Sequence, residues 1–117
     1  MEQQVIIITG ASSGFGKATA KILSAKGHIV YGLCRREMQD SDIRYRQCDV
    51  RNREQIATVV ADIVKEQGRV DVLINNAGTG AVGPAEDITD EQFSHEMNID
   101  LFGSFKMARE VAKQAMI

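Results

Sequence analysis

The chain has 117 residues, enough for one modest domain, and 44% of them are hydrophobic and 26% charged. Its formal net charge of −2 gives no reason to expect nucleic acid or an anionic membrane surface as a partner. No apolar stretch approaches the roughly 20 residues that cross a bilayer, and the N-terminus lacks a signal-peptide layout. We therefore predict a cytoplasmic protein.

Cysteine and histidine are too sparse to predict a metal centre. The two cysteines, Cys34 and Cys48, cannot form a disulfide framework, and we predict that both are buried, reduced thiols. His28 and His95 stand alone, without the spacing of metal ligands, and we predict that both lie on the surface. The sequence thus predicts no metal site.

Short β-branched runs alternate with helical patterns along the chain. The runs predict four strands, at Val5–Thr9, Ile29–Leu33, Tyr45–Cys48 and Val72–Asn75. Alternation of this kind implies right-handed crossovers and a parallel sheet that is covered on both faces. The predicted fold class is α/β, a doubly wound parallel sheet with strand order 3-2-1-4. This order places the carboxyl end of the first strand where ligands bind in such sheets.

The first two helical patterns have recognisable ends. One runs over about Gly14–Lys26 and stops at Gly27, a residue suited to a left-handed cap. The other has apolar residues every three or four positions. Asn52 and Gln55 resemble a capping box at its start, and Gly68 closes it.

The last helical pattern is predicted to begin after Thr89, with Gln92 as the reciprocal cap. Its apolar residues recur at helical spacing and define one face. They are Phe93, Met97, Leu101, Phe105 and Ala108, with Phe102 and Val111 beside them.

A glycine-rich loop directly follows the first predicted strand. It reads Thr9-Gly10-Ala11-Ser12-Ser13-Gly14-Phe15-Gly16. Unpaired N–H groups and the positive end of a helix dipole converge where such a loop enters a helix. We therefore predict that the pyrophosphate of a nucleotide binds there.

The spacing of the glycines separates several nucleotide-binding folds. Gly10, Gly14 and Gly16 give G-x-x-x-G-x-G, whereas the common dinucleotide fingerprint is G-x-G-x-x-G. A kinase-type phosphate loop needs a hydroxyl residue after its lysine to hold Mg²⁺, but Lys17 is followed by Ala18. An ATPase is therefore disfavoured. A domain that binds S-adenosylmethionine shares a glycine loop after its first strand, but it does not account for the further motifs below.

Three further motifs lie after predicted strands or in the last predicted helix, where a nucleotide-binding sheet would use them. Asn75-Asn76-Ala77-Gly78 ends the fourth predicted strand, Asp49-Val50 follows the third, and Asn98 lies in the last helix. Together with the Thr-Gly-x-x-x-Gly-x-Gly loop, they make the chain resemble the short-chain dehydrogenase/reductase family over its whole length. The resemblance implies a Rossmann-like fold of about four strands, incomplete here, and oxidoreductase chemistry with a nicotinamide dinucleotide.

The resemblance also implies which residues bind the cofactor. The glycine loop would surround its phosphates and adjoining ribose, and the Asp49 carboxylate would accept a hydrogen bond from the adenine amine. Asn76 and its neighbours would line the ribose and nicotinamide side, while Asn75 would tie neighbouring strands together. The cofactor-binding set is Gly10, Ser12, Ser13, Gly14, Phe15, Gly16, Arg35, Arg36, Asp49, Val50, Asn76, Ala77 and Gly78.

The end of the second strand favours NADP(H) over NAD(H). NAD-using members of the family that resemble this chain place a carboxylate where Cys34 stands, and that carboxylate would repel a 2′-phosphate. Here it is absent, and Arg35 follows with a guanidinium suited to phosphate. Arg36 either assists or faces solvent.

Most of the family's catalytic residues have no counterpart in these residues. The family uses Ser, Tyr and Lys, the last two as Tyr-x-x-x-Lys, but Tyr31 is followed by Arg35 and Tyr45 by Asp49. Only the helix asparagine of the proton relay, Asn98, is matched. We therefore expect residues 1–117 to be a cofactor-binding domain truncated before the catalytic segment, able to bind NADP(H) but inactive alone.

The same residues leave a second function open, and truncation has structural consequences. A non-catalytic NADPH sensor or interaction module is the alternative to an enzyme whose substrate is a small-molecule carbonyl or alcohol. Truncation would leave the fourth strand as an open sheet edge and expose apolar surface on the last helix, which predicts a homo-oligomer. Residues 79–88 resemble the loop of family members that act on bulky carbonyls, and Gly80 within them is either a cofactor contact or a plain loop residue.

Overall fold

The computed structural model describes residues 2–78 and 85–115. Its strands are β1 (Val5–Thr9), β2 (Ile29–Cys34), β3 (Arg44–Gln47) and β4 (Val72–Ile74). Its α-helices are α1 (Gly14–Ala25), α2 (Arg53–Gln67), α3 (Asp90–Met97) and α4 (Ser104–Ala115). A short 3₁₀ turn covers Ala85–Asp87, and a π-helical turn over Asn98–Gly103 joins α3 to α4.

The four strands form one parallel sheet in the order β3-β2-β1-β4, which confirms the predicted fold class and strand order. Val5 lies opposite Ile29 on one side of β1, and Ile6 lies opposite Val72 on the other. All five residues of β1 are buried, because this central strand has a neighbour at each edge and helices over each face. The position of β1 brings its carboxyl end to the middle of the sheet.

Each face of the sheet packs on its own helices. On one face, Tyr31 and Leu33 pack with Ile56 and Ile63 of α2 and with Met107 of α4. The opposite face carries a smaller cluster made of Ile6, Ile8, Ala11, Ala20, Val30 and Ile43, against which α1 packs. The β-branched strand residues therefore fill two separate cores.

The predicted helix ends are largely confirmed. Gly27 and Gly68 both have positive φ angles, of 92° and 81°. The Thr89 hydroxyl accepts from the Gln92 N–H, and the Gln92 side chain accepts from the Thr89 N–H, so this capping box is complete. At α2 the prediction is half wrong. The Asn52 side chain accepts from the Gln55 N–H as expected, but the Gln55 side chain accepts from the Asp49 N–H instead of completing the box.

The last helical region differs most from its prediction. The residues that pack into the core are Ile99, Gly103, Met107 and Val111, four positions apart. The apolar face that the spacing defined is largely exposed at Phe93, Leu101 and Phe105, and Phe102 beside it is exposed too. The π-helical turn has a wider repeat than an α-helix, and it shifts the buried face relative to a continuous 3.6-residue pattern.

The prediction for His28 was wrong. His28 is only 8% exposed, and its Nδ1 accepts a hydrogen bond from the Gln4 N–H at 3.1 Å. His95 is exposed, as predicted, and both cysteines are buried free thiols. None of the described helices combines the length and apolar character needed to span a bilayer.

Candidate functional site

A cleft of about 280 Å³ opens at the carboxyl ends of the strands. In the order β3-β2-β1-β4, β2 lies on one side of β1 and β4 on the other, so the strand order reverses beside β1. Parallel sheets bind ligands at such a switch point, and the cleft lies there. Its walls come from all four strand ends and from the π-helical turn. The lining residues are Gly10, Ser12, Ser13, Leu33, Cys34, Arg35, Cys48, Asp49, Val50, Asn76, Ala77, Gly78 and Ile99.

The glycine loop packs against the segment after β4 and leaves no room for a side chain at two of its glycines. A Cβ on Gly10 would lie 2.9 Å from the Ala77 Cα, and the φ of Gly10 is +65°. A Cβ on Gly16 would overlap the Gly10 carbonyl oxygen and approach the Asn76 side chain. Two of the three glycines are therefore required by close backbone approach.

The N-terminus of α1 adjoins the cleft and lacks a side-chain cap. Its N-cap residue is Ser13, which has extended backbone and makes no side-chain capping bond. Ser12 and Ser13 both line the cleft. The first-turn N–H groups and the positive end of the helix dipole can therefore bind an anion such as a phosphate.

The Thr9 hydroxyl joins β1 to the segment after β4. It accepts hydrogen bonds from the Asn76 N–H at 3.0 Å and the Ala77 N–H at 2.9 Å. The Asn76 side chain in turn donates to the Gly10 carbonyl oxygen at 3.2 Å. Thr9 itself is 1% exposed, and these bonds fix one wall of the cleft. Our sequence analysis assigned no role to Thr9, although a hydroxyl at the end of an apolar strand was a usable signal.

Tyr45 supports the glycine loop from the edge strand. Its hydroxyl donates to the Ala11 carbonyl oxygen at 2.7 Å, and burial raises the pKa of the phenol. The ring lies over Gly32, where a Cβ would come within 2.8 Å of Tyr45 Cε1. This contact was not predicted, because it joins residues that only the sheet brings together.

Asp49 is held at the cleft by several donors. Arg51 Nε lies 3.0 Å from Asp49 Oδ1, and Arg51 Nη2 lies 2.7 Å from Asp49 Oδ2. The hydrogen bond from the Arg51 side chain is the largest of the effects that lower the pKa of the Asp49 carboxyl. Asp49 is therefore ionised at neutral pH and available as an acceptor.

Arg35 lines the cleft next to two buried thiols. The Cys34 thiol donates to the Arg36 carbonyl oxygen at 3.1 Å, and burial raises its pKa. Burial also raises the pKa of Cys48 to about 11. Arg35 and Arg36 are both exposed, but only Arg35 is among the lining residues.

Nine of the thirteen predicted cofactor residues line the cleft, and four do not. Gly14 and Gly16 lie in the first turn of α1, and Phe15 between them is 88% exposed. Arg36 is the fourth. The predictions missed Leu33, Cys34, Cys48 and Ile99 as lining residues, although three of these close the carboxyl ends of strands.

The structure shows the positions of Asn98 and Asn75, the two asparagines with predicted roles outside cofactor binding. Asn98 is exposed at the junction of α3 and the π-helical turn and is not among the cleft residues, so its relay role stays a prediction. Asn75 does not tie strands together as predicted. Its side chain donates to the Ser104 carbonyl oxygen at 3.4 Å and so joins the end of β4 to α4. Gly80 and most of the loop over residues 79–88 lie outside the described residues.

Comparison with known proteins finds similar sequences and solved structures that are named as reductases or dehydrogenases. The chain is 48% identical to the 3-ketodihydrosphingosine reductase of Bacteroides thetaiotaomicron, over 95% of this chain and 42% of the relative. A short-chain dehydrogenase structure from Streptomyces avermitilis matches with a TM-score of 0.90 and 36% identity, over 97% of this chain and 45% of that one.

A third match was solved with a dinucleotide bound. It is the 3-ketoacyl-(acyl-carrier-protein) reductase of Brucella melitensis complexed with NADH, with a TM-score of 0.90 and 27% identity. The match covers 97% of this chain and 50% of that one. This chain thus spans half or less of the length of each of these three relatives. The short chain dehydrogenase family model matches residues 4–117, and the chain belongs to that family.

Proposed function

We propose that this chain is the cofactor-binding portion of an NADP(H)-dependent short-chain oxidoreductase that acts on a carbonyl/alcohol pair. The observation that carries the proposal is the cleft at the carboxyl ends of the four strands, with the uncapped N-terminus of α1 beside it. A dinucleotide fits this arrangement because its pyrophosphate would meet backbone N–H groups and its two nucleosides would lie on either side of β1.

In the proposed complex the chain's own residues bind and orient the cofactor. The first turn of α1 holds the pyrophosphate, and Asp49 accepts from the adenine amine. Asn76, Ala77 and Gly78 form the wall beside the second ribose and the nicotinamide, which supplies hydride transfer when bound. Thr9 fixes that wall through its two hydrogen bonds to the Asn76 and Ala77 N–H groups.

The preference for NADP(H) rests on the charges at the end of β2. Arg35 lines the cleft, and position 34 carries a neutral thiol where a carboxylate would repel a 2′-phosphate. Asp49 is the one acidic residue among the cleft residues described, and it is ion-paired with Arg51. A 2′-phosphate bound by Arg35 would therefore not be repelled by an unpaired carboxylate among the described lining residues. Arg36, outside the lining, contributes at most a long-range charge.

We propose that these 117 residues alone do not turn over substrate, because they contain no Tyr-x-x-x-Lys. Asn98 would serve the proton relay only beside such a pair. We do not favour the alternative of a non-catalytic NADPH sensor, since the three relatives described above are named as reductases or as a dehydrogenase. A cytoplasmic location stays part of the proposal.

The test is a titration of the purified chain with NADPH and with NADH, followed by the rise of nicotinamide fluorescence. The chain has no tryptophan, so the background is low. We expect tighter binding of NADPH, and Arg35→Ala should weaken NADPH binding by roughly tenfold to a hundredfold while leaving NADH binding nearly unchanged. Arg53→Ala is the matched control, since Arg53 is exposed at the start of α2 and outside the cleft. No saturable binding of either dinucleotide would overturn the proposal, and equal affinities would overturn the NADP(H) assignment.

A turnover assay tests whether the 117-residue chain is catalytically incomplete. 3-Ketodihydrosphingosine is the first carbonyl to try, because of the 48% identical relative. With the 117-residue chain we expect no NADPH consumption above the protein-free rate. Turnover that co-purifies with the chain through rigorous fractionation would contradict that expectation. A separate measurement is the intact mass of the protein from its source cell. A mass well above the 12.9 kDa of this chain would show that a further segment follows these residues.

A further inference from the structure

We propose that Arg51 is a positioning residue, which fixes the Asp49 carboxylate so that it accepts a hydrogen bond from the adenine amine of the cofactor. The inference rests on the proposed function, because it concerns how the same cleft would recognise one end of the dinucleotide. It adds a residue that does not itself line the cleft and that the sequence motifs do not single out.

The backbone of Asp49 is fixed before any ligand arrives. Its N–H donates to Gln55 Oε1 at 2.9 Å, and its carbonyl oxygen accepts from the Asn52 N–H at 2.9 Å. Gln55 is itself placed by the Asn52 cap at the start of α2. The Cα of Asp49 is therefore held by the same turn that begins the helix, and only its side chain remains to be oriented.

Arg51 orients that side chain through three N–H groups. Its backbone N–H donates to Asp49 Oδ1 at 2.9 Å, its Nε lies within 3.2 Å of both carboxylate oxygens, and its Nη2 lies 2.7 Å from Oδ2. An ionised carboxylate accepts about four hydrogen bonds. Because the single Nε proton is shared between the two oxygens, the three N–H groups of Arg51 leave roughly one acceptor position, which suits a single amine proton.

Arg51 is in turn held from the last helical region. Its Nη1 lies 3.5 Å from His95 Nδ1 on α3, and its carbonyl oxygen accepts from Lys106 Nζ on α4 at 3.3 Å. The Lys106 contact holds the backbone of Arg51, while the guanidinium itself lies between Asp49 and His95 and so loses less freedom when a ligand binds. The rival possibility is that Arg51 competes with the adenine amine for Asp49, and it predicts the opposite effect of removing the guanidinium.

The experiment compares NADPH with its deamino analogue, in which hypoxanthine replaces adenine and the amine is missing. The measured quantity is the ratio of the two dissociation constants, from the same fluorescence titration. For the wild-type chain we expect about tenfold weaker binding of the analogue, as for one hydrogen bond to a charged group. In Arg51→Met the ratio should fall toward one, and in Arg51→Lys, which keeps the charge without the planar fork, it should be intermediate.

The matched control is Arg69→Met. Arg69 Nε lies 2.9 Å from Asp71 Oδ2, so it also makes an arginine–aspartate pair two residues apart. Asp71 accepts from the Val5 N–H at the amino end of β1, away from the cleft. The loss of an ion pair is therefore similar, but the ratio should stay at the wild-type value. A structural role of Arg51 alone would weaken both dinucleotides equally and leave the ratio unchanged.

The outcomes separate this inference from the proposed function. An unchanged or larger ratio in Arg51→Met, with NADPH still bound, would overturn the inference and leave cofactor binding intact. A wild-type ratio near one would do the same, because Asp49 would then not contact the amine. If Arg51→Met does not fold, by circular dichroism, Arg51→Lys decides by the same ratio. Absence of NADPH binding to the wild-type chain would instead overturn the proposed function and this inference with it.

Discussion

Single side chains in this chain organise more of the site than their sequence context indicates. The hydroxyl oxygen of Thr9 accepts two backbone N–H groups from the segment after β4. The Thr-Gly motif predicted a phosphate loop at this point, and the loop's packing could be anticipated from its glycines. The bonds of Thr9 could not, because their donors lie more than 60 positions away in sequence.

Replacing Thr9 by valine tests this contact. The substitution keeps the shape of the side chain but leaves the N–H groups of Asn76 and Ala77 without their acceptor. We expect a loss of about 1–3 kcal/mol in the free energy of unfolding, measured by equilibrium urea denaturation, together with weaker NADPH binding. Thr58→Val on the exposed face of α2 is the control and should change stability by less than about 0.5 kcal/mol. Equal effects of the two substitutions would contradict the role given to Thr9.

At the level of elements, the strands and the first two helices followed the sequence closely. β-branched runs, glycine stops and an asparagine cap are local signals, and each gave an element within one or two residues of its observed bounds. The last helical region did not follow, because a π-helical turn has no such local signal. Which of its faces is buried depends on contacts with β2 and α2, and not on the spacing of its own apolar residues.

Gly103 shows what this turn accomplishes. A Cβ at this position would lie 2.8 Å from Val50 Cγ2 and 3.0 Å from the Asn98 carbonyl oxygen. The missing side chain therefore lets the turn approach Val50, a residue that lines the cleft.

Gly103→Ala is expected to reverse the usual helix preference. Alanine normally gains roughly 0.5–1 kcal/mol over glycine within a helix, but here overpacking should cost about 1–3 kcal/mol. The exposed position Ala108 supplies the control, since Ala108→Gly should lower stability by only about 0.5–1 kcal/mol. Thermal unfolding of both variants decides the matter, and a stabilised Gly103→Ala variant would show that the turn can move away from Val50 freely.

At the scale of the whole molecule, α3, the π-helical turn and α4 expose several large apolar side chains. Phe93, Leu101, Phe102 and Phe105 are each about half exposed or more. The Arg109 guanidinium lies over the Phe105 ring, 5.0 Å from its centroid. The sequence predicted that apolar side chains in this region would be exposed, and for these four the structure agrees.

We expect the 117-residue chain to self-associate through this face. Sedimentation velocity should show dimers or larger species, and the double substitution Leu101→Ser with Phe105→Ser should shift the population toward monomer. Ile22→Ser is the control, because Ile22 is 57% exposed on α1, away from this face. A monodisperse wild-type monomer, or dissociation caused equally by Ile22→Ser, would contradict the expectation.

The two cysteines beside the cleft have a consequence for chemical resistance. Thiols react with peroxides and alkylating agents as thiolates, and burial disfavours the thiolate of both Cys34 and Cys48. With a pKa of about 11, Cys48 is ionised in roughly one molecule in ten thousand at neutral pH. The two sulfur atoms therefore line this part of the cleft as small, unreactive thiols. A pocket lined in this way keeps its shape under oxidising conditions that would modify a reactive thiolate.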